Sequence, residues 1–164
     1  MSRHQRVIVG LLVVCFSIVP GRAAYAHTLG DDSIDGSQIR WEDYTKWDSA
    51  RVNAISDWNN VGCITMTADT WTSITDLEFR DFDDSNTSTT GYWQPRVGAD
   101  RIYMNDYWMN LNTTAQKNHN MLHEVGHAVG LAHNTRSDSV MKQGRLNFND
   151  LGAHDISDHR AMFC

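Results

Sequence analysis

The stretch HEVGHAVGLAH, from His123 to His133, constrains this chain more than any other. His123 and His127 are four residues apart, so on a helix they lie one turn apart on one face and can aim imidazole nitrogens at a common point. Glu124 lies about 100° further around the helix, beside that point rather than on it. His133 can reach the same point only if the helix stops and the chain turns back. Gly130 supplies the means, because without a Cβ it can adopt positive φ and end the helix.

Three neutral imidazoles make a zinc-binding set with one position left for water, the arrangement of a catalytic rather than a closed structural site. The Glu124 carboxylate can there deprotonate a zinc-polarised water and return the proton to a departing amine. The motif therefore predicts zinc-dependent amide hydrolysis, with His123, His127 and His133 as ligands and Glu124 as general base and acid. The alternative is a non-catalytic, zinc-stabilised module that binds peptide. Glu124 is not a ligand, and its presence weighs against that alternative.

The ends of the sequence set the context. MSRHQR is a positive n-region, Val7 to Val19 is an apolar h-region, and Ala24-Tyr25-Ala26 is an A-x-A cleavage site, so residues 1–26 read as a secretory signal peptide. The apolar run is shorter than the ~20 residues that a spanning helix requires. The expected product is a secreted, monomeric single domain over residues 27–164, with no membrane contact after cleavage. Losing Arg3, Arg6 and Arg22 leaves 11 basic residues against 20 acidic ones, moving the net charge from −6 to −9. That balance excludes nucleic acid as a partner, since phosphate recognition needs a basic face. Cys15 departs with the signal, leaving Cys63 and Cys164 as an even pair: a disulfide in an oxidising compartment, or two unpaired thiols.

Periodicity supplies the frame. Trp47, Ala50, Ala54, Ile55 and Trp58 recur at helical spacing before a stop at Asn60 to Gly62. QIRW (38–41), CITMTA (63–68), DLEFRDF (76–82), TGYWQ (90–94) and RIYM (101–104) read as strands, the fourth an edge strand ended by Pro95. A second helix is expected from Thr113 or Thr114, capped by Asn112 or Thr113, through the zinc motif. HTLGDDSIDGSQ (27–38) reads as an extended lead-in. Asp81, Asp83 and Asp84 lie in a loop that is either a calcium site or a solvated acidic turn. His119 reads as a partly exposed helix residue, and His154 and His159 as surface residues. Trp93 and Trp108 are placed near the cleft rim.

HEVGHAVGLAH matches H-E-x-x-H-x-x-G-x-x-H, the metzincin signature, and SVM at Ser139 to Met141 looks like the methionine turn of that group. The phrasing HEVGHAVGLAHN, the order of QIRW, SDWNNVG, DLEFRDF and RIYM, and HDISDHRAMF as a closing helix resemble the matrixin branch. The resemblance implies an α+β, zincin-like fold. It has a twisted mixed sheet of about five strands, an amphipathic helix, an active-site helix and a C-terminal helix. It also implies Met141 as a hydrophobic floor beneath zinc and a protein or peptide substrate laid along the edge strand; the loop from Lys142 to Gly152 shapes the pocket below the zinc in three dimensions, so side-chain preference is not read from the sequence. Three departures stand out. No PRCGxPD-like segment precedes the domain, so a cysteine switch is not expected. The loop after Phe82 lacks histidine, so one zinc is expected rather than two. Lys142-Gln143-Gly144 after Met141 lacks the tyrosine of astacin-like relatives.

Overall fold

The computed structural model describes residues 27–164; the expected signal peptide and Cys15 lie outside the described residues. Strand β1 (Gln38–Asp43) is followed by helix α1 (Asp48–Val61), which ends at Gly62 in the left-handed conformation, φ 87°. Strands β2 (Thr65–Ala68), β3 (Leu77–Phe82), β4 (Gly91–Gln94) and β5 (Asp100–Asn105) complete one sheet in the order β2-β1-β3-β5-β4. All pairings are parallel except β4 with β5. The observed architecture is the α+β mixed sheet with helices that the sequence predicts.

Alternation along the strands sorts the two faces of the sheet. Ile39, Met66, Leu77, Phe79, Ile102 and Met104 are buried toward the helices. Glu78, Arg80 and Arg101 lie at the intervening positions, where Glu78 accepts from Arg80 at 2.6 Å and from Arg101 at 2.7 Å. Helix α1 contributes Ala54, Ile55 and Trp58 to the core. The Trp58 indole N–H donates to the Leu122 carbonyl at 3.2 Å, fixing α1 against the helix that carries the zinc motif.

That helix, α3, spans Thr114–Ala128. Thr113 caps it, accepting from the Gln116 N–H while the Gln116 side chain accepts from the Thr113 N–H, a reciprocal pairing that satisfies two otherwise orphaned donors. A short helix α2 (Asp106–Leu111) precedes it, and α4 (Ala153–Phe163) closes the chain. Cys63 and Cys164 form a disulfide with Cα atoms 5.2 Å apart, joining positions 101 residues apart. No helix among the described residues is long and apolar enough to cross a membrane.

The polar lead-in has a structural role that its composition did not reveal. It straps the C-terminal end of α3: Ser33 N–H donates to the Ala128 carbonyl at 2.8 Å, Leu29 N–H to the Gly130 carbonyl at 2.9 Å, and Ala132 N–H to the His27 carbonyl at 2.7 Å. Carbonyls at a helix end lack partners within the helix, and this strap pairs two of those left around the Gly130 turn.

Candidate active site

Gly130 ends α3 with φ 84°. Its N–H donates to the His127 carbonyl and the Leu131 N–H to the Gly126 carbonyl, both at 2.9 Å, the paired bonds of a Schellman turn. The reversal brings His133 back to the helix, with its Nε2 3.0 Å from Nε2 of both His123 and His127. The three imidazoles form a group able to hold a metal ion.

The rings are held from behind. His123 Nδ1 lies 2.6 Å from the Val140 carbonyl and His127 Nδ1 2.7 Å from the Leu131 carbonyl. A carbonyl only accepts, so each Nδ1 carries the proton and each Nε2 presents a lone pair to the common point. Burial pushes the His123 imidazole down to about 3 and His127 to about 4, which keeps both neutral, the form that ligates. This donor set fits zinc.

Glu124 is buried beside the triad, and its Oε2 has no hydrogen-bond partner among the described residues. Desolvation pushes its carboxyl up to about 8, opposed by a backbone hydrogen bond from Trp93. A buried carboxylate without a full set of partners is costly, and a cation alongside would draw it back toward the ionised form.

Met141 is 1% exposed. It packs so closely on α3 that a Cβ at Gly126 would collide with its sulfur. Its turn is tied to α4 through Asp155, a residue the sequence reading did not single out. The buried Asp155 carboxylate accepts from the Ser139 hydroxyl, from the Val140 N–H at 2.9 Å and from the Gly152 N–H at 3.0 Å. Val140 thus bridges His123 on its carbonyl side and Asp155 on its amide side.

A cleft of about 440 Å³ opens over the triad, lined by Thr89 and Thr90, by Gly91 to Trp93 of the edge strand, by His119, and by Gln143 to Arg145 of the loop after Met141. Strand β4 pairs with β5 on one side only, so its outer edge borders the cleft. Trp93 lines it with its indole N–H donating to Ser33 at 2.9 Å. Trp108 stacks under the Arg145 guanidinium at 3.9 Å.

Several expectations need correction. His119 is 1% exposed, not partly exposed, and its Nδ1 meets the Phe148 carbonyl at 2.5 Å, pinning the loop after Met141 to α3. His159 is fully buried against Trp58 and Phe163 rather than on the surface. Of the two readings of the acidic loop, calcium is unsupported: Asp81 accepts from Thr45 and Lys46, Asp84 accepts from Asn86, and these carboxylates form no metal-binding group among the described residues.

No curated protein matches the sequence. Of solved structures, 59 chains match. One is a chain of the GM1-bound form of the ECX AB5 holotoxin, 15% identical, with a TM-score of 0.59 over 79% of this chain and 81% of that one. At that identity the likeness is one of fold. The model of the matrixin family matches residues 21–157, and with the signature turn and histidine triad in place the chain belongs to that family, whose members are zinc-dependent endopeptidases.

Proposed function

We propose that the protein is a secreted zinc endopeptidase, released by cleavage after Ala26, that hydrolyses protein or peptide substrates. The carrying observation is the convergence of three histidine Nε2 atoms beside a buried, under-partnered Glu124 at the floor of a cleft bordered by an open strand edge. His123, His127 and His133 would hold the ion. Zinc supplies a Lewis acid that polarises the scissile carbonyl and acidifies water toward ~7.

Glu124 takes the proton from the attacking water and delivers it to the departing amine. Burial raises the proton affinity of this carboxyl and a cation alongside would lower it, so the two together suit a group that both takes up and releases a proton. An extended substrate segment adds a strand to the open edge of β4, whose main-chain groups supply register and orientation. Met141 acts from below by packing on α3, and Asp155 by fixing the turn that orients His123.

The test is hydrolysis of a quenched-peptide library by the chain starting at His27, beside Glu124→Gln, with metal content measured on both. The wild type should cut and a chelator should stop it. The variant should keep its zinc and lose about 10²–10⁴-fold in rate. Zinc-loaded wild type that cuts nothing would sink the protease reading in favour of a peptide-binding module.

A further inference from the structure

A second cluster of ligand-type side chains lies where the chain's described start meets α4. His27, His154 and Asp158 form a group able to hold a metal ion, and we propose that it is a second divalent transition-metal site, taking zinc and fastening the N-terminal strap to α4.

The first argument is geometric. His27 Nδ1 lies 3.2 Å from His154 Nε2 and 3.3 Å from Asp158 Oδ2, and His154 Nε2 lies 3.3 Å from the same oxygen. Zinc bonds of ~2.0–2.1 Å at the tetrahedral angle put neighbouring donor atoms about 3.3–3.4 Å apart. The three atoms therefore already outline one face of a zinc tetrahedron. The imidazole rings meet edge to face, 70° apart, rather than stacking face to face.

The second argument is electrostatic. The Asp158 side chain is only 4% exposed, and its salt-bridge partners are those two imidazoles, which carry charge only when protonated. A buried carboxylate needs a countercharge, and a dication among two nitrogens and one oxygen provides it. Mixed imidazole and carboxylate donors suit zinc and its first-row neighbours rather than calcium or magnesium.

The His27 backbone nitrogen lies 3.2 Å from the same Asp158 oxygen. Given the secretion proposed above, with cleavage after Ala26, that nitrogen is a primary amine and would become a fourth ligand. The ion would then hold the strap whose amides and carbonyls brace the Gly130 turn.

The experiment measures zinc stoichiometry by elemental analysis after equilibration at micromolar free zinc, on the chain starting at His27, on His154→Ala, on His27→Ala and on Glu124→Ala. Expected values are two ions for wild type and Glu124→Ala, and one for either histidine variant. His27 and His154 are both part-exposed, so neither substitution empties the core. One ion in the wild type, or two ions in both histidine variants, would overturn the proposal. A chain extended by one residue before His27 that still binds two ions supports a site made of side chains alone. A drop to one ion in that chain supports the amine as an essential ligand. Stoichiometry does not depend on hydrolysis, so a protein that binds two ions and cuts nothing keeps this site while the protease reading fails.

Discussion

The two histidine clusters of this molecule are built on opposite plans. In the cleft, His123 and His127 are anchored through Nδ1 by carbonyls of the segments that follow them, and Asp155 supports one of those carbonyls from a further layer. Beside α4, His27 offers Nδ1 itself, half-exposed, from a strap near the chain's start. Backbone bracing makes the cleft rigid before any ion arrives. The terminal cluster has little such bracing, so an ion there would organise its ligands rather than find them ready.

Three perturbations probe that contrast, from the largest effect to the smallest. Replacing Cys63 and Cys164 by serine releases the end of α4 and reopens a closure across 101 residues. The chain-entropy cost is about 5 kcal/mol, read from urea denaturation. The contrast predicts that zinc at the terminal cluster weakens in this variant while the cleft ion stays. Equal loss at both would show that the cleft leans on α4 as heavily as the terminal cluster does.

Acid provides the second probe. Burial holds the His159 imidazole down at about 4, with neither ring nitrogen hydrogen-bonded. An unfolded histidine titrates near ~6.5, so between those values the unfolded chain binds more protons than the folded one. Stability contributed by the neutral ring is complete above pH ~6.5 and falls as pH drops toward 4, by about 3 kcal/mol in all. Denaturation of chelator-treated protein from pH 7.5 to 4.5 should show this slope in the wild type and a shallower one in His159→Phe. Identical slopes would assign the acid sensitivity elsewhere.

The smallest effect is expected at Gly126. Gly126→Ala forces the Met141 sulfur away from α3, an overpacking that costs about 1–3 kcal/mol in thermal or urea unfolding. Zinc affinity should fall in the cleft and hold at the terminal cluster. Unchanged cleft affinity would mean that Met141 fills space without supporting the ligands.

Local rules made the cleft legible in the sequence. The spacing of His123, Glu124 and His127 and the glycine stop are properties of eleven consecutive residues, and Gly130 adopts the positive φ that its place required. Strand positions followed alternation, and Thr113 caps α3 as its residue type suggests. What escaped depended on distant partners. Asp155 is one carboxylate among several near the C-terminus until the turn at Ser139 meets it across the fold. His119 and His159 read as surface residues because nothing local shows that a loop covers one and Trp58 the other. Helix α2 has six residues, too few to display a period. The Asp81 to Asp84 cluster left two readings open, because composition does not show that nearby amides and hydroxyls already engage Asp81 and Asp84.

The strand order β2-β1-β3-β5-β4 has a consequence for how the molecule assembles. Three of its four pairings are parallel, so each must wait for a crossover connection to close, and chain entropy is lost before those contacts form. Among the strand pairings only β4 with β5 is local in sequence, and the zinc motif is local too. Refolding should therefore be slow, in the millisecond-to-second class of non-local sheets, and the turn at Gly130 can close from local bonds before the sheet that borders it is complete.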